Sequence, residues 1–64
     1  MTWFRLIYRV PEGAQTLAQP FVGWWLECTR YGEDEEPLVE HRHFGPFSTL
    51  QEAEQFRDAD FPIN

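Results

Sequence analysis

The chain has 64 residues, one cysteine and a formal net charge of −6, with 11 acidic and five basic side chains. A lone cysteine excludes an internal disulfide and a structural zinc site made of several thiolates. The excess of acids argues against nucleic-acid binding, which depends on cations that neutralise phosphates. We predict one domain, residues 1–64, whose small core depends on three Trp, six Phe and two Tyr residues.

The first predicted strand, residues 2–10, alternates with a period of two, as half-buried strands do. Its more apolar side, which we assign to the core, has four members: Phe4, Leu6, Tyr8 and Val10. The opposite side also has four: Trp3, Arg5, Ile7 and Arg9. A polar segment with proline at both ends, residues 11–20, separates this strand from the next.

The second predicted strand, residues 21–31, has one apolar side formed by Val22, Trp24, Leu26 and Cys28. Cys28 belongs to that side, so we interpret it as a buried small hydrophobic residue rather than a nucleophile. A turn over residues 32–37 follows. It carries an acidic surface of four consecutive residues: Glu33, Asp34, Glu35 and Glu36.

The third predicted strand, residues 38–44, can face the core in two ways. One set of alternating positions is Leu38, Glu40, Arg42 and Phe44, and the other is Val39, His41 and His43. We favour the second set as the inward one. Gly45 and Pro46 are predicted to end this strand, because proline lacks the N–H that a central strand donates.

A helix is predicted to start at Ser48, with Gln51 completing a capping box, or one residue later with the pair Thr49 and Glu52. Its apolar stripe is Leu50, Ala53 and Phe56. It should end near Ala59, and Phe61 and Ile63 are predicted to pack on the sheet edge. The order is β-β-β-α, an α+β fold in which one C-terminal helix packs on one face of a three-stranded antiparallel meander.

Two segments carry a family resemblance: Gly23-Trp24-Trp25-Leu26-Glu27, and His43-Phe44-Gly45-Pro46-Phe47 with Glu52-Ala53-Glu54. Over residues 23–56 the chain resembles very small cyanobacterial proteins, the family called domain of unknown function 1816. The resemblance implies a cyanobacterial, cytoplasmic protein and an accessory to a larger assembly such as a photosynthetic complex. That family has no established activity, so the resemblance supplies no catalytic residue.

The segment from Phe44 to Ala53 also resembles the strand-to-helix joint of sporulation-related peptidoglycan-binding repeats. We disfavour a cell-wall function, because the N-terminus does not look like a signal peptide. No apolar run approaches the roughly 20 residues of a membrane span. The prediction is therefore a soluble, cytoplasmic protein.

His41 and His43 share one side of the third strand, so they could supply half of a metal site. Completing it would need Cys28 or an acid from the neighbouring strand, and the sequence specifies no such ligand. We therefore interpret the pair as partly exposed polar residues, and predict neither a metal nor a cofactor.

The predicted partner-binding surface is the uncovered sheet face, with five aromatic and arginine residues: Trp3, Arg5, Arg9, Trp25 and Tyr31. Trp, Tyr and Arg are the residue types enriched at binding hot spots. The function predicted is a non-enzymatic protein-interaction module, accessory or regulatory, which could also form a homodimer through this face. The alternative is an acidic inhibitor or nucleic-acid mimic that acts through residues 33–36 and the helix acids. No nucleophile, base and orienting group occur together to suggest an enzyme.

Overall fold

The computed structural model describes residues 3–32 and 38–62, without the side chains of residues 38 and 39. Three strands, β1 (Phe4–Val10), β2 (Gly23–Tyr31) and β3 (Leu38–Phe47), precede one helix, α1 (Leu50–Asp60). The strands form an antiparallel sheet in the order β1-β2-β3. The predicted β-β-β-α fold is confirmed. Within the described ranges, no helix has the length and apolar character needed to cross a membrane.

Helix α1 begins with the second of the two predicted caps. Thr49 is the N-cap, and its hydroxyl oxygen accepts a hydrogen bond from the backbone N–H of Glu52 at 3.1 Å. At the other end, the backbone N–H of Phe61 donates to the carbonyl of Arg57 at 2.8 Å. The helix therefore ends at Asp60, one residue beyond Ala59.

Strand β3 continues through Gly45 and Pro46, where the sequence predicted an end. Phe44 pairs with Leu26 and Phe47 pairs with Trp24, so β3 has one residue more than β2 between these pairs. This is a β-bulge. Proline is tolerated there because β3 is at the edge of the described sheet, where β2 is its one neighbouring strand.

The core lies between the sheet and α1. It comprises Leu26, Cys28 and Phe61. Partly buried side chains from β1, β3, α1 and the residue before β1 pack around them: Trp3, Ile7, Phe44, Phe47 and Phe56. Ile7 pairs directly with Leu26 and Arg5 with Cys28, and opposed residues share a face of the sheet. Trp3, Arg5 and Ile7 therefore face the helix, and the predicted orientation of β1 was wrong.

The predicted orientation of β3 was wrong as well. Phe44 pairs with Leu26 and faces the core, whereas His41 and His43 pair with Thr29 and Glu27 on the other face. The inward side carries the charged residue Glu40, which accepts a hydrogen bond from Arg30 at 3.0 Å. The predictions for the Val39 side chain and for Ile63 fall outside what the structure describes.

Candidate functional site

The face of the sheet away from α1, here called the open face, carries chemistry that the core does not use. Alternation and register assign it side chains from all three strands, including Phe4, Leu6, Tyr8, Val10, Trp25, Glu27, Thr29, Tyr31, His41 and His43. Helix α1 lies over the opposite face. The open face contains two distinct groups, one apolar and one made of titratable side chains.

The apolar group, here called the exposed cluster, consists of Phe4, Leu6 and Tyr31. These residues are 61%, 58% and 52% exposed. The rings of Phe4 and Tyr31 meet edge to face, with centroids 5.6 Å apart. All three line a shallow groove of about 420 Å³, to which Arg5, Glu27 and Thr29 also contribute. A contiguous apolar patch differs from scattered exposed side chains, because it indicates a surface that meets another molecule.

Two residues of the predicted partner-binding surface lie on the helix face and serve the fold. The side chain of Arg5 is only 12% exposed. Its Nη1 donates to the backbone carbonyl of Phe61 at 3.1 Å and to Asp58 at 3.3 Å. Trp3 packs edge to face on Phe61, with centroids 4.9 Å apart. The five residues do not share one face, because the orientation of β1 is opposite to the predicted one.

The other three residues of the predicted partner-binding surface also differ from one another in the face they occupy and in their exposure. Trp25 is on the open face but only 5% exposed, and its Nε1 donates to the carbonyl of Phe21 at 2.9 Å. Arg9 is exposed but pairs with Trp24 on the helix side. Tyr31 alone is both exposed and on the open face. The predicted acidic surface, residues 33–36, lies outside the described residues.

The titratable group consists of Glu27, His41 and His43. One carboxylate oxygen of Glu27, Oε1, lies 2.9 Å from Nε2 of His41. The other, Oε2, lies 3.8 Å from Nε2 of His43. The centroids of the two imidazole rings lie 4.7 Å apart. If one potential ligand atom is taken from each of the three residues, these atoms all lie within 4.8 Å of one another. The sequence identified the histidine pair but missed Glu27, because only the strand register places it opposite His43.

Cys28 does not belong to this group, although it follows Glu27 in the chain. Its side chain points to the core and has no exposed surface. Burial raises the pKa of its thiol, the charge of Arg5 opposes that change, and the charge of Glu27 adds to it. A buried, protonated thiol is a poor nucleophile. This environment agrees with the interpretation of Cys28 as a core residue.

The pKa of the Tyr8 phenol depends in part on the charge of Glu27. Burial raises the pKa of the Tyr8 phenol above its ordinary value of 10.0, and the Glu27 carboxylate raises it further. The folded protein therefore holds this proton more tightly than the unfolded chain. The associated stability is present below about pH 10 and is lost as the pH rises through the folded pKa.

Replacing Glu27 with glutamine should lower the pKa of Tyr8 but leave it above 10.0, because burial remains. The pKa can be measured from phenolate absorbance in a Tyr31→Phe background, where Tyr8 is the only phenol. An unchanged pKa would show that the two side chains are not coupled.

No family model, curated protein or solved structure matches the chain. The resemblance over residues 23–56 thus stays a prediction, and the geometry of the open face supplies the argument for function.

Proposed function

We propose that this protein is a small non-enzymatic interaction module that docks on a larger protein through the exposed cluster. The observation that supports this is the contiguity of Phe4, Leu6 and Tyr31 around one groove, each more than half exposed. Large apolar and aromatic side chains of this kind form the centres of protein interfaces. The docking surface differs from the predicted one, since only Tyr31 belongs to both.

The partner that fits this surface is a protein with an apolar patch bordered by lysine or arginine. The chain has a net charge of −6, so its long-range field attracts a basic surface and repels a second copy of itself. Glu27 also lines the groove, and its carboxylate can meet a cation at the interface. Charge therefore favours a different, basic protein over a homodimer.

The family resemblance adds a setting to this proposal. It suggests a cytoplasmic accessory or regulatory subunit of a larger cyanobacterial assembly, such as a photosynthetic complex. Such a partner offers large protein surfaces, and the present chain is small enough to act as a docked subunit.

The test begins by placing a photo-cross-linking amino acid at position 6 and identifying the protein that it captures. The captured protein is then purified, and its affinity is measured for the wild type and for a Leu6→Thr, Tyr31→Thr variant. Threonine keeps the β propensity of the strand while removing the apolar contact. We expect the variant to bind at least about tenfold more weakly, and binding to weaken as salt is added.

Leu17→Thr is the matched control, because Leu17 is a fully exposed leucine outside the open face. This variant should bind like the wild type. Equal affinities for wild type and double variant would contradict docking through the exposed cluster. So would a sedimentation experiment in which the chain pairs only with itself.

A further inference from the structure

We propose that Glu27, His41 and His43 form a binding site for one divalent transition-metal ion of the zinc type. The site does not depend on the proposed docking function, because it uses the titratable group of the open face rather than the exposed cluster. It replaces the expectation that the histidines are only a polar pair. The new element is the third ligand, which the fold supplies from the neighbouring strand.

The three side chains converge because of strand geometry. His41 and His43 are two positions apart on β3, so both project from the open face. Glu27 on β2 pairs directly with His43, and Thr29 pairs with His41. Glu27 is therefore opposite one imidazole and diagonal to the other. Both histidines present Nε2 toward its carboxylate, at 2.9 Å for His41 and 3.8 Å for His43.

These separations suit a metal ion. Zinc binds imidazole nitrogen at about 2.0–2.1 Å and carboxylate oxygen at about 2.0–2.2 Å, so tetrahedral ligand atoms lie about 3.3 Å apart. The separation of His41 Nε2 from Glu27 Oε1 is 2.9 Å and that of His43 Nε2 from Glu27 Oε2 is 3.8 Å, so the two carboxylate contacts lie on either side of that value. The atoms of all three residues lie within 4.8 Å of one another. Small side-chain rotations can bring them onto one ion without moving the strands.

The ligand set also selects the class of ion. Two imidazoles and one carboxylate suit zinc, copper, nickel or cobalt, whereas calcium and magnesium prefer sites made of oxygen atoms alone. The three side chains are only partly buried, at 29%, 37% and 26% exposure, so a fourth coordination position is open to water. Cys28 cannot occupy it, because its side chain lies on the other face of the sheet.

A bound ion would connect β2 to β3 on the same face as the docking groove. Glu27 lines that groove, so one ligand of the ion would belong to the docking surface. Metal binding would thus change the charge of the docking surface without using any of its apolar residues.

The test is a zinc titration of the untagged protein, followed by calorimetry and by NMR of the imidazole nitrogens. We expect one zinc ion per chain and simultaneous shifts of both histidines, which are the two histidines of the sequence. The variants His41→Gln, His43→Gln and Glu27→Gln should each weaken binding at least about tenfold, because even outer-sphere partners of a metal contribute that much. Calcium and magnesium should not compete.

Glu12→Gln is the matched control, since Glu12 is an exposed acid in the β1–β2 connection, and it should leave zinc affinity unchanged. The wild-type NMR spectrum keeps the test valid even if a variant unfolds. Histidine signals that do not move at saturating zinc would overturn the proposal. So would zinc binding that all three ligand variants retain, or that calcium displaces, because the ion would then be held by acids elsewhere.

Discussion

Replacing Phe61 with alanine is expected to destabilise the protein by about 3–5 kcal/mol. The Phe61 side chain is 7% exposed. It follows α1 directly and packs against aromatic rings from the helix, from β3 and from the residue before β1. Its centroid lies 4.9 Å from that of Trp3, 5.2 Å from Phe44 and 6.2 Å from Phe56. A domain of this length has a total stability of about 3–10 kcal/mol, so the loss is a large part of the whole. Urea unfolding followed by circular dichroism measures it.

Phe21→Ala removes the same side chain from an exposed position and is the control for Phe61→Ala. Phe21 is 62% exposed, and the backbone carbonyl that accepts from Trp25 remains in the variant. We expect this change to cost less than about 1 kcal/mol. Similar losses in both variants would mean that the chain end does not pack against the sheet as described.

Replacing Gly45 with alanine is expected to cost about 2–4 kcal/mol, through overpacking added to backbone strain. A Cβ atom there would lie 2.6 and 2.8 Å from two atoms of the Trp25 ring, and 3.0 Å from the carbonyl oxygen of Trp24. The ring cannot easily move aside, because Trp25 is buried and its Nε1 is hydrogen-bonded to Phe21. The φ angle of +156° is also unusual for an L-residue. Thermal and urea unfolding measure the loss.

Gly13→Ala separates the two contributions. Gly13 has a φ of +91°, and a Cβ atom there would have no atom within 4 Å. Alanine at position 13 therefore adds backbone strain alone, about 1–2 kcal/mol. If Gly45→Ala costs no more than Gly13→Ala, the added Cβ atom does not clash with the Trp25 ring, which would contradict the close approach of that ring to Gly45.

Local patterns predicted the elements well, because each depends on residues near in sequence. The period-two runs indicated three strands, and the pair Thr49 and Glu52 indicated the helix start. Orientation was harder. Both sides of β1 are partly apolar, and the sequence pattern alone marks Arg5 as a surface residue. Its partners are Asp58 in α1 and the carbonyl of Phe61, the residue after the helix. That information is over 50 residues away in the chain, as the separations of 53 and 56 show.

Predicting the titratable group from the sequence also required long-range information, namely the register of β2 against β3. From the sequence alone, the turn predicted over residues 32–37 leaves the pairing of β2 with β3 open by one residue. A shift of one would place Arg42, in place of His43, opposite Glu27, and would turn every side chain of β3 to the other face. The structure pairs Glu27 with His43, so three ligands meet that no local pattern could have combined.

Docking through the open face is tested most directly by amide NMR of the labelled protein with its purified partner. We predict shifts or line broadening at Phe4, Leu6, Thr29 and Tyr31, with the amides of Leu50–Asp60 unchanged. Changes confined to α1, with the open face unaffected, would contradict the account. The helix acids would then be the binding surface.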